Sequence, residues 1–515
     1  MNTINPLSRT GVTATSSSTT AASVKTTAGA TAGGTRAGDS TVVSLGAQQA
    51  TGPTFLWENR TRSTAAVMMA QNFGNEPMAG RLKGLGGELL RQVAYDGQDF
   101  SQSIQRAPDG VQADTYDMLV APTQVSQHGM GDNRIALTIT TRSGVKVELA
   151  LDTGDNSVAI KAESSGDLSE TERKALGKLA DAFQQAVDGI TADPPRVDLA
   201  GLTQFDSGAL ASVDLKASIK LNPKETQKLE FHADGARRSV SIDGPSGSAR
   251  IGVDLTQPAA WGNPEQQAKA LGRYLQQVDQ ASSRGQASGA MPAMFKDAFT
   301  DMNSNYGNPA VAPSPSQMLT QRDQALTTGL ADFNASFSLP DVASNPARPT
   351  EKDSFSYELS QKTQMSGKSA WDLSVSQQQQ SRLKASYHMP VKAGATLALD
   401  LSPNSQNYKY VTIDDSASST TSFKYDQGML AKASHEMQAA RSTRVLEYMY
   451  GKVRDDHTTP EGKASSRDLL PELEGDVLPT GAWERAQALA AINDKIFLQA
   501  NPDAIAANPE DASQR

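Results

Sequence analysis

Apolar and polar residues alternate in steps of two through three long blocks of this sequence, and a chain so patterned must build sheets with one buried face. In the first block Ile135, Leu137 and Ile139 alternate with polar residues, followed by Val147, Leu149 and Leu151, then Val158 and Ile160. Ser143-Gly144 and Gly154-Asp155-Asn156 supply the turns, so the spacing predicts a three-stranded antiparallel meander. The second block runs Val213/Leu215 on to Ile219/Leu221, then Leu229/Phe231, Val240/Ile242 and Ile251/Val253/Leu255, with Gly235 and Gly244-Pro245 where hairpins need them. The third covers 333–425, with candidate strands at Phe355/Tyr357/Leu359, Trp371/Leu373/Val375, Leu383 with Tyr387/Met389, Leu397/Leu399/Leu401, Val411/Ile413 and Phe423/Tyr425.

Helical spacing separates these blocks. Arg62 to Phe73 and Gly80 to Val93 read as short helices. Ser169 and Glu172 form a Ser-x-x-Glu capping box ahead of Leu176, Leu179, Ala180, Phe183 and Val187, and Asp193-Pro194-Pro195 closes that helix. Asn263-Pro264, an N-cap followed by Pro at N1, opens a second with Ala268, Leu271, Leu275, Val278 and Ala281 on one face. Further helices are expected near 291–303 and 316–331, with Asn308–Ser316 a loop between them. Another is expected over Met429 to Tyr450, from Leu430, Ala433, Met437 and Ala440, and a last one over Ala482 to Leu498, using Trp483, Leu489, Ile492 and Ile496. The segment 455–480 reads as a Pro-, Gly- and charge-rich loop.

Strands grouped in blocks, rather than alternating one by one with helices, indicate the α+β class: antiparallel meanders forming one or two large curved sheets packed on amphipathic helices. The opposite faces, rich in Ser, Gln, Thr and Lys, would be wet or would contact a partner. The expected organisation is a disordered leader over 1–53, a mixed domain over 54–205, a large sheet region with inserted helices over 206–455, and a linker, helix and tail over 456–515. The leader follows from composition: 11 Thr, 9 Ala, 7 Ser and 6 Gly fall in the first 50 residues, and no aromatic residue precedes Phe55.

Composition also excludes functions. The chain has no Cys, which removes disulfides, thiol nucleophiles, Cys-ligated metals and lipid-bearing Cys. With 48 Lys and Arg against 57 Asp and Glu, the net charge of −9 gives no general basic face for a phosphate backbone, so no nucleic-acid partner is expected. No stretch approaches the roughly 20 apolar residues of a membrane span. The N-terminus has no apolar h-region, which points to a cytoplasmic protein or to export without a Sec signal.

Each partial catalytic motif fails at a needed position. His435-Glu436 opens an HExxH pattern, but Ala439 stands where the second imidazole belongs, so both residues are expected on the solvated face of a helix. Asp152 to Glu163 has the length of a calcium loop, yet Gly154 and Ser157 occupy positions that need an oxygen ligand and a glycine, and a hairpin accounts for the segment better. Ser381-Arg382-Leu383-Lys384 matches Ser-x-x-Lys without its partner motifs and lies in a strand pattern. Gly84-Leu85-Gly86-Gly87 is not a dinucleotide fingerprint, and Ser246 lacks the second glycine of a nucleophile elbow. The histidines, at 128, 232, 388, 435 and 457, are scattered, and Asp455-Asp456-His457 reads as part of a solvated loop. Paired carboxylates of the glycosidase kind are set by tertiary geometry. No catalytic, cofactor or metal residue is therefore assigned, and no cofactor is expected.

The run RIALTITTRSGVKVELAL, a short strand, then GDLSETERKALGKLADAFQQAV resembles a poorly characterised bacterial family of unknown function. In that family a Thr-x-Asp/Ser-Gly hairpin leads into a capped helix and a second Leu-rich helical turn, here Val197 to Leu210. The resemblance rests on structural residues and implies no active site. A dehydrogenase label attached to some similar chains finds no support here, for lack of a glycine fingerprint or βαβ alternation. The expectation is a non-enzymatic bacterial structural or interaction protein with a protein partner. The alternatives are a leaderless effector of the type III kind, whose N-termini are commonly Ser/Thr-rich, and an enzyme with an unrecognised site.

Overall fold

The computed structural model describes residues 55–59, 63–75, 78–106, 126–307, 318–474 and 477–505. The leader over 1–53, the 308–316 loop and the end of the tail lie outside the described residues.

Among the described residues all strands belong to one antiparallel sheet of 15. They are β1 (Phe55–Trp57), β2 (Phe100–Arg106), β3 (Asn133–Thr141), β4 (Lys146–Gly154), β5 (Ser157–Ser164), β6 (Leu210–Asn222), β7 (Glu225–Asp234) and β8 (Arg237–Gly244). There follow β9 (Gly247–Asp254), β10 (Asp332–Val342), β11 (Asp353–Ser366), β12 (Ser374–Pro390), β13 (Tyr408–Asp426), β14 (Met429–Met449) and β15 (Lys452–Asp468). The order across the sheet is β1-β2-β5-β4-β3-β6, and from β6 to β15 each strand pairs with its successor. The sequence left one or two sheets open; there is one, because β3 pairs with β6 and β9 with β10 although helices intervene in the chain.

The three-stranded meander forms as its alternation predicts. Ile135 faces Leu151, Leu137 faces Leu149 and Ile139 faces Val147, all buried. The helices are α1 (Thr64–Asn72), α2 (Met78–Leu82), α3 (Leu85–Asp96), α4 (Glu170–Lys178), α5 (Ala180–Thr191), α6 (Ala200–Thr203), α7 (Pro264–Arg284), α8 (Ala290–Met302), α9 (Gln321–Gln324), α10 (Leu470–Leu473) and α11 (Ala482–Lys495). The capping box at Ser169 closes reciprocally with Glu172, and Asn263 caps α7. Apolar side chains of the early helices, of α7 and α8 and of the sheet merge into one continuous core.

Four expectations are corrected. The helix over 429–450 is strand β14. Ala433 and Met437, four residues apart, satisfy a helical period and a strand period at once, while the buried set is Ala433, His435, Met437 and Ala439. Two-residue turns flank it, with positive φ at Gln427 and Gly428 and again at Tyr450 and Gly451, the geometry that matches strand twist. Partner strands on both sides then override the helix preference of its Ala, Met and Glu content. The loop expected over 455–480 holds β15, an edge strand with almost every side chain exposed, so no alternation marks it. The helix near 316–331 shrinks to α9, one turn closed by a Thr320–Asp323 capping box. Leu397, Leu399 and Leu401 form no strand, and Leu401 is exposed. In addition, the 170–191 helix breaks at Leu179, and Trp483 and Trp371 are exposed rather than packed.

A second, smaller apolar cluster gathers Leu326, Val375, Phe423, Ala433, Leu473 and Ile492. A buried polar seam crosses the sheet between the two clusters. One row is Gln361–Gln379–Ser419 and the next Thr363–Gln377–Thr421–His435. Its amides bond to backbone and to other side chains: Tyr274 donates to Gln361 Oε1 at 2.8 Å, and Gln379 grips the C-terminal segment through the Ile496 carbonyl (2.9 Å) and the Leu498 N–H (3.1 Å), while the Thr421 hydroxyl is buried without a partner. Buried amides so satisfied cost little, whereas an orphaned one would cost about 1–3 kcal/mol.

Candidate functional site: a polar trough across the sheet

The face turned away from the helices carries the other half of every alternation. A twisted sheet is a saddle, concave along one diagonal on either face. Over β6 to β14 that concavity holds a trough of about 1080 Å³, continued by an adjoining depression of about 690 Å³.

Register aligns the side chains of the trough into lanes that run across the strands. The central lane is Asp214–His232–Ser239–Gly252–Asn334–Ser360–Gln380–Ser418–Gln438. The lane beside it is Lys216–Glu230–Ser241–Arg250–Ser336–Glu358–Arg382–Ser416. From Ser239 to Gln438 the central lane is uncharged.

Serines elsewhere on this face pair across strands, as Ser248 with Ser338 (3.0 Å) and Ser354 with Ser386 (2.8 Å). Those of the central lane do not. Among the described residues, the side chains of Ser239, Asn334, Ser360, Gln380, Ser418 and Gln438 have no hydrogen-bond partner within the protein. Lys216, Glu230, Arg237 and Glu358 likewise make no ion pair. The trough therefore presents donors and acceptors that only solvent or a ligand can meet.

His232 closes one end. Its Nδ1 lies 2.7 Å from Asp214 and its Nε2 3.0 Å from Asp234. Burial works against the charged ring, but the two carboxylate hydrogen bonds outweigh it and raise the imidazole's pKa. With both nitrogens engaged, the ring has no free lone pair for proton abstraction.

The remaining sequence candidates fall into structural roles. His435, expected on a solvated helix face, is buried in β14, and desolvation with nearby Arg467 pushes it down to about 4. It meets Ser419 Oγ at 2.9 Å, but that hydroxyl donates to the Ile496 carbonyl at 2.7 Å, so it is no activated nucleophile. Glu436 points to solvent. Asp152 and Glu163 belong to the β4–β5 hairpin, Asp152 held by Arg134 at 3.0 Å. Ser381 turns to the core and Lys384 to the surface, as a strand requires. Gly84 to Gly87 open α3, and Ser246 sits in the β8–β9 turn. Asp455, Asp456 and His457 lie on the edge strand β15, where Asp456 pairs with Arg444.

His128 brings together a set that spacing did not reveal. Its Nε2 lies 2.9 Å from Ser101 Oγ and 3.0 Å from Glu58. A relay needs serine and acid on opposite ring nitrogens, and here both share one. His388 bonds to Asp353 at 2.6 Å beneath the β10–β11 loop. Among the described residues no three His, Asp or Glu side chains group as a metal-holding set, and no helix is long and apolar enough to cross a membrane.

No family model matches the chain, and no curated protein or solved structure matches it.

Proposed function

We infer that the chain is a non-enzymatic binding protein and that the trough is its receptor surface. One observation carries the reading: six uncharged hydroxyl and amide side chains stand in register across the sheet without partners in the protein, while neighbouring serines satisfy one another. Such a lane does nothing for folding, since groups left in water contribute no net hydrogen bond. Two histidines of the sheet add support: His232 has both ring nitrogens engaged by carboxylates, and His435 is buried against a serine whose hydroxyl donates elsewhere.

The test compares the immobilised chain with its Gly252→Trp variant. A Cβ at Gly252 meets nothing within 4 Å, so an indole there fills the trough without disturbing the core. Material retained from an extract of the source cells should be lost with Gly252→Trp and kept with Lys174→Asp, a helix-surface control. Identical retention by all three chains overturns the reading.

A further inference from the structure

We propose that the trough receives a linear, uncharged glycan laid across strands β8 to β14, which rests on the reading of the trough as the receptor surface. Three observations select this ligand class over others.

The first is the lane itself. Ser239, Asn334, Ser360, Gln380, Ser418 and Gln438 present hydroxyls and carboxamides, with an open gap at Gly252. Strands lie about 4.8 Å apart, so the lane offers a hydrogen-bonding group at nearly every such step over about 30 Å. A sugar chain lying perpendicular to the strands advances by about one ring per strand and brings hydroxyls to each step. An extended peptide repeats its side chains on a longer step and falls out of phase.

The second is charge. Four Lys and Arg side chains face three carboxylates around the trough, and the lane between Ser239 and Gln438 has none. A polyanion would need a basic track. A neutral ligand needs only the lane, with the flanking charges that make no ion pair, Lys216, Glu230, Arg237 and Glu358, open to ring hydroxyls.

The third is the lack of an apolar anchor. Protein partners are held by aromatic and aliphatic side chains seated in pockets. Between β8 and β14 the two lanes carry only Ser, Gly, Asn, Gln, Arg and Glu. Without an aromatic ring for sugars to stack on, each ring gains only hydrogen bonds. Short sugars must bind weakly, and affinity must grow as the lane fills.

Calorimetric titration of the full chain with cello-, malto- and N-acetylchito-oligosaccharides of increasing length tests this. The expected result is an affinity at least ten-fold higher for a hexasaccharide than for a disaccharide in one of these series. Gly252→Trp should lower it at least ten-fold with an unchanged melting temperature, and the paired change Asn334→Ala with Gln380→Ala should do so by removing groups instead of adding bulk. No binding at millimolar concentration in any series, binding independent of length, or tighter binding of polygalacturonate or of an extended peptide would overturn the glycan assignment. If glycans fail while Gly252→Trp still abolishes retention from cell extract, the receptor reading stands without the glycan. If retention is also unchanged, both fall.

Discussion

Tyr408 and Tyr448 stack with ring centroids 4.7 Å apart, and their hydroxyls donate to the two oxygens of one carboxylate, Glu351, each at 2.6 Å. Glu351 belongs to the β10–β11 loop, so the pair pins that loop onto the sheet. Arg348 lies 4.3 Å over the Tyr448 ring and bonds the Gly451 carbonyl at 2.7 Å. Burial and the adjacent carboxylate push the Tyr448 hydroxyl up to about 12, so it stays a donor throughout the physiological range.

Removing the carboxylate orphans two hydroxyls together. Glu351→Ala is expected to destabilise the chain by about 2–4 kcal/mol and to speed amide exchange over residues 343–352. Exchange confined to other segments, or an unchanged urea midpoint, would show that the loop is held some other way.

His435 makes the seam acid-sensitive. Its pKa is near 4 in the folded chain against 6.5 for a free imidazole, so the unfolded state takes up the proton first as pH falls. Its contribution is intact above pH 6.5 and is lost toward pH 4. Between pH 7 and pH 5 the native chain should lose about 2 kcal/mol that His435→Gln does not lose. Equal pH slopes for the two in urea titrations would contradict this.

Asp301 titrates the opposite way. Desolvation, with Asp198 and Asp297 nearby, pushes it up to about 6, although its carboxylate accepts the Leu199 N–H at 2.7 Å. A raised carboxyl pKa means that the folded state gains stability as pH falls through 6 toward 3.8. Asp301→Asn keeps an acceptor and removes the charge, so it should stabilise the chain by about 1–3 kcal/mol at pH 8, with the gain vanishing below pH 4. Thermal melts at the two pH values decide it.

On α4, Leu176 is buried and Lys174 is exposed. Leu176→Asp should cost about 3–5 kcal/mol and Lys174→Asp well under 1 kcal/mol. Coincident urea midpoints for the two variants would mean that this face of the helix is not packed as described.

The run Gln377–Gln380 shows how far the sequence could be read. Period two predicts a strand there, but composition gives no sign of which glutamines turn inward. Gln377 and Gln379 build the buried seam, while Gln378 and Gln380 face out, and Gln380 joins the trough. Side-chain identity is the same at all four positions, so only the partners across the sheet tell them apart. The meander at 133–164 and the capped helices were legible because each carries its own local signal. β14 and β15 were not, since one mimics a helical period and the other buries nothing. The polar faces were visible as faces. Their alignment into lanes depends on register between strands, some separated by nearly 80 residues of chain.

The strand order from β6 onward has a consequence for synthesis. Each strand lies beside the one made just before it, so the sheet can lengthen at a single growing edge as the ribosome delivers the chain. No strand there waits for a distant partner, and loop closure stays short except across α7 and α8. A hairpin gained or lost near the C-terminus would extend or trim the lane by a matching step without rewiring the rest, which makes the reach of the trough a quantity that evolution can adjust one pair of strands at a time.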